Sequence, residues 1–179
     1  MKKFLFLLPL ILFLAITSTA ISALKEQNQS KFSDKVIKGK NLKLPAFSLS
    51  DLLNQGSNFT EADLIKNNSE KLIILNFFAS WCVSCVAEHE NLINFQKNPN
   101  IEIYGIAWFD APENTKKYLA ENGNPYSKVG MDVGGKLAKK LGVTGTPESF
   151  VIKNGVVILH HIGPVGDEFL TQIYKKRYQ

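Results

Sequence analysis

The sequence is poor in cysteine, and its 179 residues contain only Cys82 and Cys85. Disulfides that stabilise a fold normally close long loops, because the entropy removed from the unfolded chain grows with loop length. A ring closed between residues three apart constrains very little, so a structural cross-link is a poor explanation for this pair. Two close cysteines and no others indicate a pair that cycles between dithiol and disulfide.

The sequence also lacks low-complexity tracts, internal repeats and a basic stripe interleaved with aromatic residues. Hydrophobic residues make up 45% and charged residues 21%, which is typical of a folded protein and excludes disorder of the whole chain. The formal net charge is +5, and setting aside Lys2 and Lys3 leaves +3. The basic cluster at residues 175–177 is interpreted as a solvated helix end. This pattern does not favour nucleic-acid binding.

Residues 1–24 differ from the rest of the chain. Positive charge at Lys2 and Lys3 precedes an uncharged span of 21 residues, 4–24. A span of about 20 apolar residues crosses a bilayer, whereas small residues after the apolar run suit cleavage of a signal peptide. Residues 1–24 are therefore predicted to be an export signal, either retained as an N-terminal membrane anchor or cleaved. Both alternatives place the rest of the chain outside the cytoplasm.

Residues 25–42 are polar and rich in lysine, and they are predicted to be a linker before one folded domain, residues 43–179. Within that domain, apolar runs that indicate buried strands alternate with segments of helical spacing. Asn154-Gly155 between two apolar runs predicts a β-hairpin. Together these elements predict an α/β fold, with a mixed central sheet flanked by helices. The predicted strands are 45–49, 71–79, 101–108, 129–132, 149–152 and 156–159, and the predicted helices begin near 60 and span 83–95, 113–121, 134–141 and 167–174.

Cys82 and Cys85 lie where the first long predicted strand gives way to a helix. At a helix start, unpaired backbone N–H groups and the positive end of the helix dipole stabilise a thiolate. A free cysteine has a pKa near ~8.5, and comparable sites lie between roughly 3.5 and 7.5. Cys82 is therefore predicted to be the exposed nucleophile. Cys85, one turn further along and more buried, is predicted to be the resolving thiol.

Three segments carry a resemblance to a known family. Residues 81–89 read Trp-Cys-Val-Ser-Cys-Val-Ala-Glu-His, residues 142–150 read Gly-Val-Thr-Gly-Thr-Pro-Glu-Ser-Phe, and residues 123–126 read Gly-Asn-Pro-Tyr. A Cys-x-x-Cys pair after a buried strand, with a Thr-Pro pair downstream, resembles the thioredoxin superfamily. The longer segments resemble its DsbE/CcmG group, whose members are membrane-anchored periplasmic thioredoxins of cytochrome c maturation.

This resemblance implies a thioredoxin-like fold and the reduction of a disulfide in apocytochrome c or in its haem-ligation partner. Free thiols are needed there because haem attaches to both cysteines of a Cys-x-x-Cys-His site. Electrons are expected from a membrane thiol:disulfide transporter. The chain is expected to act as a monomer on the periplasmic side of the bacterial inner membrane, with no cofactor, metal or nucleic-acid partner.

The resemblance also implies roles for residues near the cysteines. Pro147 is expected to follow a cis peptide bond and to face the sulfurs, so that Thr146 offers its backbone to an extended substrate. Trp81 is expected to shield the disulfide and to contact partners, with core packing as the alternative. Glu148 is expected either to line the groove as an acidic specificity element or to be a plain surface glutamate.

Asn76 stands where cytosolic thioredoxins carry a buried aspartate that accepts the proton of the resolving thiol, and asparagine cannot titrate. Glu88, one turn beyond Cys85, is a candidate substitute for proton transfer, and the alternative is a solvated carboxylate on the helix surface. His89 is expected on the surface of the same helix, with a proton shuttle as the alternative.

Two other functions stay open. A less specific periplasmic thiol reductase or a peroxidase-like relative would use the same cysteine pair, and hydroperoxide turnover would reveal the latter. A metal-carrying protein would bind copper or zinc through both thiolates, which lack an obvious third ligand. His160 and His161 are a poor metal pair, because neighbours on a strand point to opposite faces of the sheet.

Overall fold

The structure is a computed structural model that describes residues 13, 16–19, 21–22, 36–66 and 71–177. The predicted signal or anchor segment, residues 1–24, lies for the most part outside the described residues. Among the described residues, no helix combines the length and the apolar character needed to cross a bilayer. The chain divides after residue 35, and the unit that starts at Val36 contains all of the described strands.

The described strands form two sheets. They are β1 Val36–Lys43, β2 Ser48–Ser50, β3 Asn58–Thr60, β4 Leu72–Phe78, β5 Ile101–Trp108, β6 Val129–Asp132, β7 Glu148–Lys153 and β8 Val156–Ile162. The larger sheet has the order β1-β8-β7-β4-β5-β6, and β2 pairs with β3 in the smaller one. The central strand β4 runs parallel to β5 and antiparallel to β7, so the larger sheet is mixed.

Helices cover both faces of the larger sheet. From Val36 onward the described helices are α1 Glu61–Lys66, α2 Val83–Gln96, α3 Pro112–Asn122, α4 Lys136–Leu141 and α5 Asp167–Arg177. One hydrophobic cluster joins the sheet to α2, α3 and α5 through Leu92, Leu119 and Phe169. The other joins it to α1 and α4 through Leu64 and Leu137. Both faces of β4 are therefore buried, which explains its nearly continuous apolar sequence.

The predicted hairpin is confirmed. Asn154 and Gly155 form a two-residue turn between β7 and β8, with φ angles of 52° and 71°. A turn with positive φ at both central residues matches the twist of the strands that it joins, and Asn-Gly adopts it readily. The prediction of an α/β fold, with a mixed central sheet flanked by helices, is also confirmed.

The predicted boundary of the linker is wrong. Residues 36–42 were assigned to the linker, but Val36–Lys43 forms β1, which pairs antiparallel with β8 from Val36 opposite His161 to Lys43 opposite Val156. Pairing with β8 satisfies backbone N–H and C=O groups whatever the side chains are, so a polar sequence with little periodicity joins the sheet. Residues 25–35 lie outside the described residues.

Candidate active site

Cys82 is the N-cap of α2 and follows the turn that ends β4. It forms a disulfide with Cys85, and the two Cα atoms are 5.3 Å apart. Sγ of Cys82 accepts a hydrogen bond from the backbone N–H of Cys85 at 3.1 Å. Cys82 is 6% exposed and Cys85 is 1% exposed, so both are buried and the expectation of an exposed Cys82 is wrong. Cys82 is still the more accessible of the two. In the reduced form, the same N–H and the helix dipole stabilise a thiolate on Cys82.

Thr146 and Pro147 lie beside this disulfide. The peptide bond between them is cis, as the family resemblance implied. The carbonyl oxygen of Thr146 lies 3.5 Å from Sγ of Cys82. The backbone N–H of Gly163 donates to the carbonyl of Pro147 at 2.9 Å, which ties the segment to the residue after β8. The backbone of Thr146 therefore borders Cys82, the more accessible of the two cysteines.

Glu148 is buried, with 1% exposure, and does not line a groove. Its Oε1 accepts hydrogen bonds from the backbone N–H groups of Thr144 and Gly145, at 2.8 and 3.0 Å, and from the Thr144 hydroxyl. Its Oε2 lies 2.7 Å from Nε2 of His160. Burial alone raises the pKa of Glu148, but the hydrogen bonds from His160 and Thr144 outweigh burial and hold the pKa below its usual value. Both sequence-based interpretations are corrected, because the carboxylate ties down the loop that carries Thr146.

Four exposed side chains, Trp81, Val83, Val86 and Phe109, form what we call the apolar rim. Each is between 50% and 84% exposed, which excludes core packing for Trp81. Nε1 of Trp81 donates to the carbonyl of Phe109 at 3.1 Å, so the indole is held in place although it is exposed. Clustered exposed apolar side chains are typical of a surface that binds a partner.

Asp110, which no sequence motif singled out, holds the turn before Cys82. Its carboxylate accepts hydrogen bonds from the backbone N–H and the hydroxyl of Ser80, at 2.7 and 2.9 Å. The hydroxyl of Thr115 and the backbone N–H of Ala111 also donate to it, each at 2.9 Å. Its place just after the carboxyl end of β5 is the one sequence signal, because site residues of α/β sheets gather at that edge.

Glu88 is buried, so the expectation of a solvated carboxylate is wrong. Its Oε1 accepts a hydrogen bond from Nδ2 of Asn76 at 2.9 Å, and its Oε2 accepts one from the backbone N–H of Val165 at 2.8 Å. Burial raises the pKa of Glu88 to about 7, and the two hydrogen bonds act against the rise. A carboxyl group one turn from Cys85 therefore exchanges its proton close to neutral pH.

His89 is also buried, and the expectation of a surface histidine is wrong. Its Nε2 donates to the carbonyl of Gly123 at 2.9 Å, because a carbonyl only accepts, and its Nδ1 lies 2.9 Å from the hydroxyl of Tyr118. The signal for burial was present in the sequence. Cys85, Glu88 and His89 are spaced by three and four residues, so they share the helix face that turns toward the sheet.

The two adjacent histidines of β8 point to opposite faces of the sheet, as predicted. His160 stacks on Phe150 with ring centroids 4.1 Å apart. His161 packs against Phe169 of α5 with ring centroids 5.1 Å apart. In the part of the chain that the structure describes, no three metal-ligating side chains come together.

Comparison with known proteins identifies the family. The Redoxin family model matches residues 39–173. The chain is similar to the thiol:disulfide interchange protein HelX of Rhodobacter capsulatus, with 37% identity over 173 residues, which cover 96% of this chain and 94% of HelX. It is also similar to DsbE of Escherichia coli K12, with 35% identity over 184 residues, which cover 98% of this chain and 96% of DsbE. The chain belongs to the Redoxin family, as a DsbE/CcmG-like thiol:disulfide interchange protein.

A solved structure agrees with this assignment. The thioredoxin-family thiol:disulfide interchange protein of Chlorobium tepidum superposes with a TM-score of 0.62 and 28% identity, covering 78% of this chain and 98% of that structure. The fold of this DsbE-like chain is therefore thioredoxin-like. Its activity is that of a thiol:disulfide oxidoreductase, and its two cysteines form one disulfide.

Proposed function

We propose that this DsbE-like chain reduces a disulfide in apocytochrome c or in its haem-ligation partner, on the periplasmic side of the inner membrane. The proposal depends above all on one observation, the placement of Cys82 at the start of α2 beside the Thr146 carbonyl, with buried Cys85 one turn behind. It is supported by the segments at 81–89 and 142–150, which contain these residues and resemble the group that serves cytochrome c maturation.

The reaction starts from the dithiol form. The Cys82 thiolate attacks one sulfur of the client disulfide, so a mixed disulfide forms and the other client sulfur leaves as a thiolate. Cys85 then loses its proton and attacks Sγ of Cys82. The second client sulfur leaves as a thiolate, and the Cys82–Cys85 disulfide of the structure remains. Two electrons pass to the client, and two protons from the chain or from water complete its thiols.

Glu88 is the proposed acceptor of the Cys85 proton. It lies one turn further along the same buried helix face, and its pKa of about 7 suits proton exchange near neutral pH. Asn76 on β4 cannot accept a proton, but it donates a hydrogen bond to Glu88. The proton acceptor is thus on α2, whereas in cytosolic thioredoxins it is at the position of Asn76.

The client is proposed to bind in an extended conformation along the Thr146 backbone, with its apolar residues against the apolar rim. An extended chain satisfies its own backbone groups by pairing with an exposed backbone segment. Exposed apolar side chains add burial without requiring a specific sequence. Trp81, held by its hydrogen bond to Phe109, supplies a rigid aromatic contact next to the sulfurs.

A membrane thiol:disulfide transporter is the proposed electron donor. Residues 1–24 are proposed to hold the chain at the membrane, and residues 25–35 to link that segment to β1. We also propose that the chain acts as a monomer. Reduction by a membrane donor requires that Cys82 face the membrane protein and the client in turn.

Trapping of the mixed disulfide tests the proposal. Cys85→Ser should leave the client bound to Cys82, because the resolving thiol is gone, whereas the matched variant Cys82→Ser should capture nothing. Mass spectrometry of the trapped complex identifies the client. Apocytochrome c or a haem-ligation protein supports the proposal, and a broad set of unrelated proteins favours the less specific reductase.

A deletion strain provides a second test. Loss of c-type cytochromes, restored by an external thiol reductant, is the expected result, because the missing contribution is reducing power. Normal levels of c-type cytochromes in the deletion strain would contradict the proposal. Rapid turnover of hydroperoxides by the purified chain would favour the peroxidase-like alternative.

A further inference from the structure

Tyr126, in the Gly-Asn-Pro-Tyr segment, is connected to the proposed proton acceptor through one asparagine. The hydroxyl of Tyr126 donates to Oδ1 of Asn76 at 2.8 Å. Nδ2 of Asn76 donates to Oε1 of Glu88 at 2.9 Å and to the hydroxyl of Ser149 at 3.0 Å. All four side chains are buried, so water does not compete for these hydrogen bonds.

The chemistry of the amide gives this chain of hydrogen bonds a direction. Oδ1 of Asn76 only accepts, and Nδ2 only donates. A hydroxyl that donates to Oδ1 therefore turns Nδ2 toward Glu88. In the reversed orientation, Oδ1 would face Glu88, and with the ionised carboxylate two buried acceptors would meet with no hydrogen between them.

We infer that Tyr126 is a positioning residue, whose hydroxyl holds the Asn76 amide in the orientation that donates to Glu88. The orientation follows from the contacts alone, and its effect on catalysis rests on the proposed function of Glu88. A hydrogen bond to the ionised form of a carboxyl group lowers its pKa. The hydrogen bond from Asn76 lowers the pKa of Glu88, whereas burial raises it. Without the Tyr126 hydroxyl, Glu88 should keep its proton to higher pH.

The other titratable groups around Glu88 do not supply this orientation. From α3, the Tyr118 hydroxyl bonds to the ring of His89, which follows Glu88 on α2. From the loop between β8 and α5, Glu88 receives the backbone N–H of Val165. Cys85, one turn earlier on α2, is in the disulfide and carries no charge. The Asn76 side chain receives its hydrogen bond from Tyr126.

Tyr126→Phe tests the inference in the oxidised full-length chain. It removes one hydroxyl and keeps the ring that stacks on Phe78, with centroids 4.8 Å apart. The pKa of Glu88 is measured from the ¹³C resonance of its carboxyl carbon, assigned with Glu88→Gln. An upward shift of about one unit is expected, the scale of one lost hydrogen bond.

Tyr104→Phe is the matched control, because it removes another buried tyrosine hydroxyl, one that bonds to Glu102. An unchanged Glu88 pKa in Tyr126→Phe would overturn the inference.

The wild-type chain supplies a test that needs no folded variant. If Tyr126, Asn76 and Glu88 form one chain of hydrogen bonds, the Cζ resonance of Tyr126 and the side-chain amide of Asn76 should titrate with the midpoint of Glu88. A Tyr126 resonance that does not move through this midpoint would contradict the inference.

Failure of the proposed proton path would look different from failure of the positioning role. If Glu88 does not accept the Cys85 proton, Glu88→Gln would not change the pH profile of client release from a mixed disulfide. The carboxyl titration would still respond to Tyr126→Phe, because it reports a hydrogen bond rather than a reaction rate. If Glu88 does accept the proton, the midpoint of the release profile should move upward together with its pKa in Tyr126→Phe.

Discussion

The carboxylate of Asp110 accepts both the backbone N–H and the hydroxyl of Ser80, at 2.7 and 2.9 Å, two residues before Cys82. The hydrogen bond from Trp81 to Phe109 adds a further link between the same two loops. The turn that precedes Cys82 is therefore held in place by the loop after β5 as well as by α2. These links do not involve the sulfurs, so reduction of the disulfide removes none of their donors or acceptors.

Asp110→Ala should destabilise the fold and slow thiol exchange. The substitution removes the acceptor of the Ser80 hydroxyl and of the backbone N–H groups of Ser80 and Ala111, whereas the Thr115 hydroxyl keeps the Ala111 carbonyl as an acceptor. Each lost hydrogen bond costs about 1 kcal/mol. We expect the free energy of unfolding, measured with urea, to fall by about 3 kcal/mol, and Ser80→Ala, which removes one hydroxyl, to cost about 1 kcal/mol. Equal stability of Asp110→Ala and the wild type would show that the carboxylate does not hold the turn.

Features with a local signal were predicted from the sequence. The continuous apolar run of β4 reflects burial on both faces, and Asn154-Gly155 encodes a turn that few other pairs adopt. The position of Cys82 at the start of a helix was predictable because the change from strand to helix there follows from hydrophobic periodicity. In each case, the residues that determine the structure are neighbours in the sequence.

Features that depend on distant partners were missed. The helical spacing of Glu88 places it on a buried face, but its partner Val165, 77 residues away, donates to its carboxylate, and no local pattern records such a partner. Glu148 turns inward because the His160 ring binds one of its carboxylate oxygens and the loop before Glu148 binds the other. The strand β1 exists because β8 offers its backbone for pairing, which overrides a polar local sequence.

Val86→Asp tests the apolar rim as the client-binding surface. Val86 is 50% exposed, so the substitution should change stability by less than about 0.5 kcal/mol. A client that covers it must desolvate the new carboxylate, and we expect the second-order rate constant for reduction of an apolar client peptide to fall about tenfold. Ile65→Asp is the matched control, because Ile65 is 48% exposed on α1, on the opposite face of the sheet. Equal rate constants for the two variants would exclude the rim from binding.

Glu148 should stabilise the fold in a pH-dependent way. Its pKa in the folded chain lies below the ordinary value of 4.5, because hydrogen bonds from His160 and Thr144 outweigh the effect of burial. Its contribution to stability is therefore present above pH 4.5 and lost as the pH falls through the lower folded pKa. Glu148→Gln lacks this contribution, so the difference in unfolding free energy between the wild type and the variant should shrink in acid. A difference in unfolding free energy that stays constant as the pH falls below 4.5 would contradict the lowered pKa of Glu148.

Glu88 should show the opposite pH dependence. Burial raises its pKa from 4.5 to about 7, so the folded chain holds the proton more tightly than the unfolded chain does. The stability gained from the bound proton is fully present below pH 4.5 and is lost as the pH rises to about 7. Relative to Glu88→Gln, the wild type should lose about 3 kcal/mol of unfolding free energy across this range, measured with urea on the oxidised chain.

Glu90→Gln is the matched control for the Glu88 prediction, because Glu90 lies exposed on the same helix. It should change the unfolding free energy by less than about 0.5 kcal/mol at each pH. Parallel stability curves for the wild type and Glu88→Gln would mean that the carboxyl group titrates at its ordinary value in the folded chain. Since a carboxyl group with an ordinary pKa is almost fully ionised at neutral pH and seldom holds a proton there, that result would also weaken its proposed role toward Cys85.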